Sequence, residues 1–486
     1  MTDHDLAIVG AGPAGMTAAL TASRLGLSVV VIDEQQRPGG QIFRQPPANR
    51  SAGPKAVRGY PWGHRLVVAA EAADNVEWRY GTTALGVLRP APPGEGIELV
   101  VRDDDGADRI SVRSLLIASG AMDLPVAFPG WTLPGVVTAG GVQTMLKAQD
   151  LLLARDVVLT GGHPLLLVVA GLIHEKGGRV VELAMPRSQG SLREMTRALG
   201  ALPGHLGILA NAASTAARLV ASGTPIRSGS IVTAARGDGR VEEVDVARLG
   251  PGNTLVPDQT CRTVAADGLV VGYGFQPSTD LARQAGCELR WDSPAGGWVV
   301  AHDDELRTTV PGVYVAGEPS GVAGADQSRA EGQLAALCIV HALGGTTVEL
   351  DREIVRARRA LRHTNRFAST VQRMFEPPRQ TLAALADADT TVCRCEGVTR
   401  ERAETVIDDN PFISSIGALK LECRTGMGPC QGRYCELTVA GLLAQRRDMS
   451  IDEVGAFNAQ FPIRPATVGE LSRMAGDRPS PVAQDG

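Results

Sequence analysis

The sequence predicts an α/β chain of two nucleotide-binding folds, the second inserted into the first, followed by a small, mainly helical cysteine module. Three observations carry that expectation. Apolar Leu6 to Val9 runs into the turn Gly10-Ala11-Gly12-Pro13-Ala14-Gly15 and a helix-like stretch, Met16 to Leu25. A second strand, glycine turn, helix and strand begin at Asp156. Five of the eight cysteines crowd between Cys393 and Cys435. At 486 residues the chain is too long for one ordinary core, so several domains are expected.

In the first unit each glycine of the turn has its own task. Gly10 permits the tight turn, Gly12 lets backbone approach a pyrophosphate, and Gly15 lets the helix pack closely on the strand. Pro13 and Ala14 complete the turn, and the helix N-terminus offers free amides to the phosphates. Strand-like Ser28 to Ile32 ends at Asp33, 33 − 15 = 18 positions after the last glycine, where a ribose-binding carboxylate belongs. Glu34 is the neighbouring candidate. A purely structural glycine turn is the plainer alternative, but strand, glycines, helix, strand and acid fall in order.

Three further segments bear on which nucleotide is bound: Gly39-Gly40-Gln41, Leu115-Leu116-Ile117-Ala118-Ser119-Gly120-Ala121, and Thr309 to Gly317-Glu318. They resemble the two-dinucleotide-binding-domain flavoproteins, the family of glutathione and thioredoxin reductases. The resemblance implies FAD in a Rossmann-like domain, with Gly40, Gln41, Ser119, Gly120, Gly317 and Glu318 around it. It places the acid at 318 on the flavin ribityl chain. Glu318 stands where Asp is usual, which keeps the carboxylate and lengthens its reach; a solvated loop acid is the plainer reading. Helix-like Ala325 to Leu343 follows, its N-terminal dipole near the flavin.

The inserted unit runs Asp156 to Thr160, Gly161-Gly162-His163-Pro164-Leu165-Leu166, a helix to about Glu175 and a strand from Arg179 to Leu183. Only the first fingerprint glycine survives, with His163 in the second place and Leu166 in the third. A side chain at the second blocks a pyrophosphate, and one at the third pushes the helix off the strand. Glu182 falls inside the second strand, and no clear acid closes it. The unit reads as a retained scaffold rather than an ordinary NAD(P)H site, leaving ATP in a different pose open. His163 reads as a turn residue rather than a base.

Pro377-Pro378-Arg379 and Ala-rich Leu382 to Ala388 lead into the cysteine module. Cys393 and Cys395, then Cys430 and Cys435, offer four thiolates in two close pairs, as a [2Fe–2S] centre requires. Thr399 caps a short helix to Asp408, stopped by Asn410-Pro411, and a second helix runs from Glu436 to Gln445. The loop Thr425 to Pro429 carries little side chain, so its amides can point at sulfur. Structural zinc is the alternative for four thiolates. Disulfide exchange would want an isolated C-x2-C, which is missing. Cys393-Arg394-Cys395 with the run Gly426 to Cys435 resembles the bacterioferritin-associated ferredoxin-like [2Fe–2S] domain, whose ligand count leaves Cys423 spare.

A net charge of −5 provides no basic surplus for nucleic acid. The N-terminus shows no leader pattern, and the longest apolar run, Leu165 to Ile173, is about half a bilayer crossing. No membrane span and a cytoplasmic setting are therefore expected, and a reducing compartment favours metal ligation over disulfides.

Taken together, the three parts resemble the α-type subunits of heteromeric amino-acid and opine dehydrogenases. That group includes the A-type subunit of opine oxidase, the cyanide-forming glycine dehydrogenase subunit, D-hydroxyproline dehydrogenase α and the central part of heterotetrameric sarcosine oxidase α. The resemblance is carried by Ile32 to Gln35 and Pro38 to Ile42, by Phe128 to Val136, and by the cysteine run. It implies that a D-amino-acid-oxidase-like flavoprotein β subunit oxidises the amine on its own FAD. Electrons then pass by an interface flavin, with FMN the candidate, and the cluster to a downstream acceptor. D-hydroxyproline, a proline-like imino acid or an opine is the implied substrate. No Ser-His-Asp set, paired carboxylates or metal-hydrolase motif stands out, so no catalytic residue is assigned.

Two other functions stay open: a self-contained NAD(P)H-dependent flavin/[2Fe–2S] reductase, against which Gly162-His163 argues, and an iron-traffic or assembly protein. The expected division is 1–150 with 265–350 for FAD, 151–264 for the degenerate NAD(P)-like unit, 351–388 as helical linker, 389–446 for the [2Fe–2S] domain and 447–486 as tail. Within that tail Phe461 to Pro465 reads either as a strap across the partner or as an extended surface segment.

Overall fold

The computed structural model describes residues 2–46, 60–88, 96–187, 206–256 and 261–474. Its first sheet runs in the order Glu77–Tyr80, Val29–Asp33, His4–Val9, Gly106–Ile117, Ile97–Asp103 and Thr83–Leu88, with Val313–Val315 also paired to Gly106–Ile117. His4–Val9 is parallel to both neighbours, Val9 lying beside Ile32 on one side and Ile117 on the other. These central strands are buried on both faces, which is why they read as unbroken apolar runs rather than as alternation. Helix Pro13–Arg24 packs on the sheet through Ala18, Ala19 and Ala22, against helix Ala325–Ala342. The two helices touch so closely that a Cβ on Gly332 would lie 2.1 Å from the Ala14 carbonyl oxygen.

The second sheet is parallel, ordered Ile226–Ser228, Arg179–Met185, Asp156–Thr160, Gly268–Val271 and Val136–Thr138. An antiparallel ribbon, Ala121–Asp123 with Phe275–Pro277, leads the chain into this unit and out again. A three-stranded antiparallel sheet, Ser230–Arg236, Glu243–Arg248 and Arg262–Ala265, completes it. Helix Val348–Met374 then crosses to the cysteine module, which holds a small hairpin, Thr391–Cys393 with Val398–Thr399, and helices Arg400–Asp409, Ile416–Cys423 and Glu436–Arg447. Thr399 caps the first of these helices, its Oγ1 accepting the Arg402 N–H at 3.2 Å. One apolar core joins Phe128, Trp131 and Val244 of the inserted region to Val392, Ile407 and Leu443 of the module.

Of the two expectations for the tail, the structure shows the extended segment. Phe461 to Pro465 lies on the chain's own first sheet, where the Ile463 N–H donates to the Leu85 carbonyl at 2.8 Å and Arg102 donates to the Pro465 carbonyl at 2.8 Å. The missing side chain of Gly86 makes the seat for the Phe461 ring: a Cβ there would be 2.6 Å from Cδ2. Among the described residues no helix is long and apolar enough to cross a membrane.

Candidate functional site

A cavity of about 1640 Å³ opens beside the first sheet. It exceeds the roughly 300–1,000 Å³ of ordinary small-ligand pockets because it runs on between the two units, with His163, Leu167 and Thr215 of the inserted one on its far side. Gly10, Gly12, Pro13, Ala14, Asp33, Glu34, Gly40, Gln41, Ser119, Gly120, Gly317 and Glu318 all line it. Gly15 alone of the expected set lies behind the wall, where a Cβ would come within 1.8 Å of the Gly10 carbonyl oxygen. Gly10 itself has φ +111°, and a Cβ there would lie 2.3 Å from the Ala118 carbonyl oxygen. Gly40 and Gly12 meet backbone to backbone, a Cβ on Gly40 reaching 2.8 Å from the Gly12 Cα. This side-chain-free cradle, with no side chain capping the helix that begins at Pro13, fits the phosphates of a dinucleotide.

The acids divide their work. Asp33 accepts the N–H of Ala11 at 2.5 Å and of Gln35 at 2.7 Å, so it clamps the glycine turn. Burial pushes its pKa up against the pull of those amides. Glu34 is more exposed and faces the Arg464 guanidinium at 3.4 Å. Glu318 is no solvated loop acid: its longer side chain folds back to accept the Gly324 N–H at 2.9 Å, and burial raises its pKa to about 7. The same loop rests on buried Glu331, which accepts the Gly317 N–H at 2.7 Å, the Ser320 hydroxyl at 2.8 Å and the Gln327 amide at 2.8 Å.

Several wall residues had no sequence signal. Lys147, near the end of the segment that begins with helix Ala139–Thr144, donates to the Ile42 carbonyl at 3.2 Å and is brought down to about pKa 8 by burial. Asp123 accepts the Thr138 hydroxyl and the Gly140 N–H, each at 2.9 Å, tying the inter-domain ribbon to that helix. Tyr434 and Arg464 enter the wall from the cysteine loop and the tail.

In the inserted unit His163 stacks edge-on to Phe275, with centroids 4.9 Å apart, and its Nδ1 accepts the Leu165 N–H at 3.2 Å. Burial lowers its pKa to about 4, so the ring is neutral at pH 7. Leu166 is accommodated because Gly272 opposes it: a Cβ on Gly272 would lie 2.8 Å from the Leu166 side chain. Glu182 is buried against Arg227 and Arg262, engaged in ion pairs inside the strand.

The four expected thiols come together from the hairpin and the loop before helix Glu436–Arg447. Cys393 and Cys435 contact each other, as do Cys395 and Cys430. Cys393 is lowered to about pKa 6, first by the Cys435 thiol and also by the amides of Gly426, Glu396 and Cys395 that point at its sulfur. The same contact pushes Cys435 up. Gly428 is required by proximity, since a Cβ would fall 2.2 Å from the Cβ of Cys395. Cys423 turns into the helical core instead, its Sγ 3.1 Å from the Leu419 carbonyl. Among the described residues no three His, Cys, Asp or Glu side chains surround one point as a single metal ion would want. Two thiol pairs with amide donors at sulfur offer the four thiolates that a two-iron centre takes.

The two sites share a border. Arg283 grips Glu436 through two bonds of 2.6 and 2.8 Å, and Gln276 donates to the Arg433 carbonyl at 2.7 Å. Tyr434, next to Cys435, thereby stands in the wall of the nucleotide cavity.

A dinucleotide cradle bordered by a paired-thiol centre defines an oxidoreductase that carries a flavin and an iron–sulfur cluster on one chain. The chain belongs to the pyridine nucleotide-disulphide oxidoreductase family, matched over residues 4–332, with a BFD-like [2Fe-2S] binding domain over 391–445. It is 33% identical to the A-type subunit of opine oxidase from Agrobacterium tumefaciens (strain Ach5), over 97% of this chain and 92% of that one. It is 32% identical to hydrogen cyanide synthase subunit HcnB of Pseudomonas aeruginosa, over 94% and 96%. In fold it is similar to L-proline dehydrogenase from P. horikoshii, with a TM-score of 0.67 at 20% identity, covering 96% of this chain and 79% of that one.

Proposed function

We propose that the chain is the FAD- and [2Fe–2S]-containing electron-transfer subunit of a heteromeric amino- or imino-acid dehydrogenase. In this reading it takes electrons from a D-amino-acid-oxidase-like flavoprotein subunit and passes them to an acceptor. The observation that carries the reading is Tyr434, which belongs both to the cysteine loop and to the nucleotide cavity. FAD, when bound, takes up an electron pair and a [2Fe–2S] centre passes electrons singly. The chain's own residues set how near the two are held: Arg283 with Glu436, Gln276 with the Arg433 carbonyl, and Trp131, whose indole N–H donates to the Thr391 carbonyl at 2.7 Å.

On this reading Gly10, Gly12, Pro13, Ala14 and the first helical amides hold the pyrophosphate. Asp33 and Glu34 face the ribose, and Gly40, Gln41, Ser119, Gly120, Gly317 and Glu318 surround the rest. Cys393, Cys395, Cys430 and Cys435 hold iron. The division at 150 and 265 is moved outward, because Val136–Thr138 and Gly268–Val271 belong to the inserted sheet and the ribbon Ala121–Asp123 with Phe275–Pro277 leads into and out of it; 351–388, 389–446 and 447–486 stay as proposed. A cytoplasmic setting, where thiols stay reduced and available to iron, is part of the proposal. FMN at an interface and ATP in the inserted unit have no support in the matched families and form no part of the proposal.

Relatives named as subunits of an opine oxidase and of a hydrogen cyanide synthase support a hetero-oligomer and an amino-acid-derived substrate. A proline-like imino acid or an opine is the proposed donor. The test is to recover the tagged chain from its host and screen what comes with it. A second flavoprotein whose complex bleaches with imino acids or opines is the expected result. A chain that is recovered alone and turns over, or whose flavin is promptly bleached by NADH, rejects the subunit reading.

A further inference from the structure

The loop between Cys430 and Cys435, the tail and the nucleotide site meet at one carboxylate. Asp280 opens the helix Asp280–Gln284, and its Oδ2 accepts from Arg433 Nε at 3.0 Å and from Arg464 Nη1 at 2.9 Å. Arg464 continues to Glu34, its Nε 3.4 Å from Oε1. The strap that presents Arg464 is itself anchored: the Ile463 N–H is bonded to Leu85, and the Ile463 carbonyl accepts from Arg433 at 3.4 Å and from Arg464 at 3.1 Å. Two guanidiniums and two carboxylates therefore alternate from the cysteine loop to the acid at the ribose end of the cavity, and the set is neutral. Ile463, Arg464, Asp280, Glu34 and Tyr434 all line that cavity.

Without Arg464, Glu34 has more rotamers open to it and more water around it. Without the Asp280 charge, Arg433 and Arg464 are left facing each other with like sign. We propose that Arg464 is a positioning residue of the nucleotide site, holding Glu34 for the ribose hydroxyls of an adenine dinucleotide, and that Asp280 makes this hold depend on the seated cysteine loop through Arg433. The inference rests on the FAD reading of the cavity. It goes further in joining retention of the adenylate half to the tail and the cluster loop.

The test uses the full chain, stripped of flavin and loaded with iron, titrated with FAD and separately with FMN, which lacks the adenylate half. Arg464→Ala and Asp280→Asn should each weaken FAD about tenfold, Arg464→Lys should recover part of that, and FMN binding and iron content should stay as in the parent. Glu34→Gln should weaken FAD similarly, and adding Arg464→Ala to it should cost nothing more, as expected of residues acting through one another. FAD binding within about twofold of the parent in folded Arg464→Ala protein overturns the proposal, as does equal weakening of FAD and FMN. If the parent itself fails to bind FAD, the FAD reading falls instead, so the two failures are distinct.

Discussion

Arg283 and Glu436 form a two-pronged ion pair, 2.6 and 2.8 Å long, that fastens the helix after Cys435 to the helix Asp280–Gln284 at the nucleotide cavity. Both side chains are largely buried, at 13% and 12% exposure. Removing Glu436 would take the carboxylate from a buried guanidinium that keeps only the Phe457 carbonyl, the Thr279 hydroxyl and the Asp280 charge nearby, at a cost of ~3 kcal/mol or less. Glu436→Ala is therefore expected to lower the urea midpoint by a corresponding amount and to separate loss of the visible cluster bands from flavin release. Unchanged, coincident transitions would show that the pair does not couple the two sites.

Gly428→Ala is expected to remove iron while leaving FAD in place. The added carbon would lie 2.2 Å from the Cys395 Cβ, so either the loop or the hairpin must move and the thiols lose register. Metal analysis and the flavin spectrum of the same preparation check it. Full iron occupancy in the variant would contradict the geometry.

Glu318 links stability to pH. Its folded pKa, raised by burial to about 7, lies above the ordinary 4.5. The stability associated with its neutral form is complete below pH 4.5 and is lost as pH rises through 7, by up to ~3 kcal/mol. Glu318→Gln should flatten the fall in melting temperature over that window in flavin-free protein, while Glu331, also pushed up by burial, leaves a residual slope. An identical pH profile in variant and parent would count against a buried acid here.

Lys147 has the opposite sign. Its folded pKa, lowered by burial to about 8, lies below the ordinary 10.5, so the cost of burying the ammonium is full below pH 8 and fades as pH rises toward 10.5. Lys147→Met should therefore be the more stable protein at pH 7, by no more than ~3 kcal/mol, and should lose that advantage near pH 10. Chemical denaturation at the two pH values provides the comparison. A variant less stable at pH 7 would mean that the ammonium has a compensating partner.

Much of the fold and part of the site could be read from local order along the chain. The strand, Gly10-x-Gly12-x-x-Gly15 turn, helix and Asp33 lie within about thirty residues, and backbone sterics allow them few arrangements. Helix ends at Thr399 and Asn410 were legible for the same reason, because a cap acts on amides two or three residues away. Phe461 to Pro465 was legible as an extended segment but its seat on the first sheet was not, since such a segment shows that it will be covered but not by what. Helix Ile416–Cys423 and the antiparallel sheet of the inserted unit were not anticipated, being short elements whose burial comes from distant neighbours.

What the sequence alone determined was the kind of chemistry: a backbone cradle for a dinucleotide, and thiols spaced for a two-iron centre, each specified by residues close together in the chain. What only the tertiary structure decided was their adjacency and the company they keep. Lys147, Tyr434 and Arg464 come to one cavity wall from three separate segments, and Asp280 joins two arginines thirty-one positions apart, 464 − 433 = 31. No periodicity or spacing encodes such meetings. They arise when buried sheets, ion pairs and the docked module bring distant chain segments together at a cost in chain entropy that only the completed packing offsets.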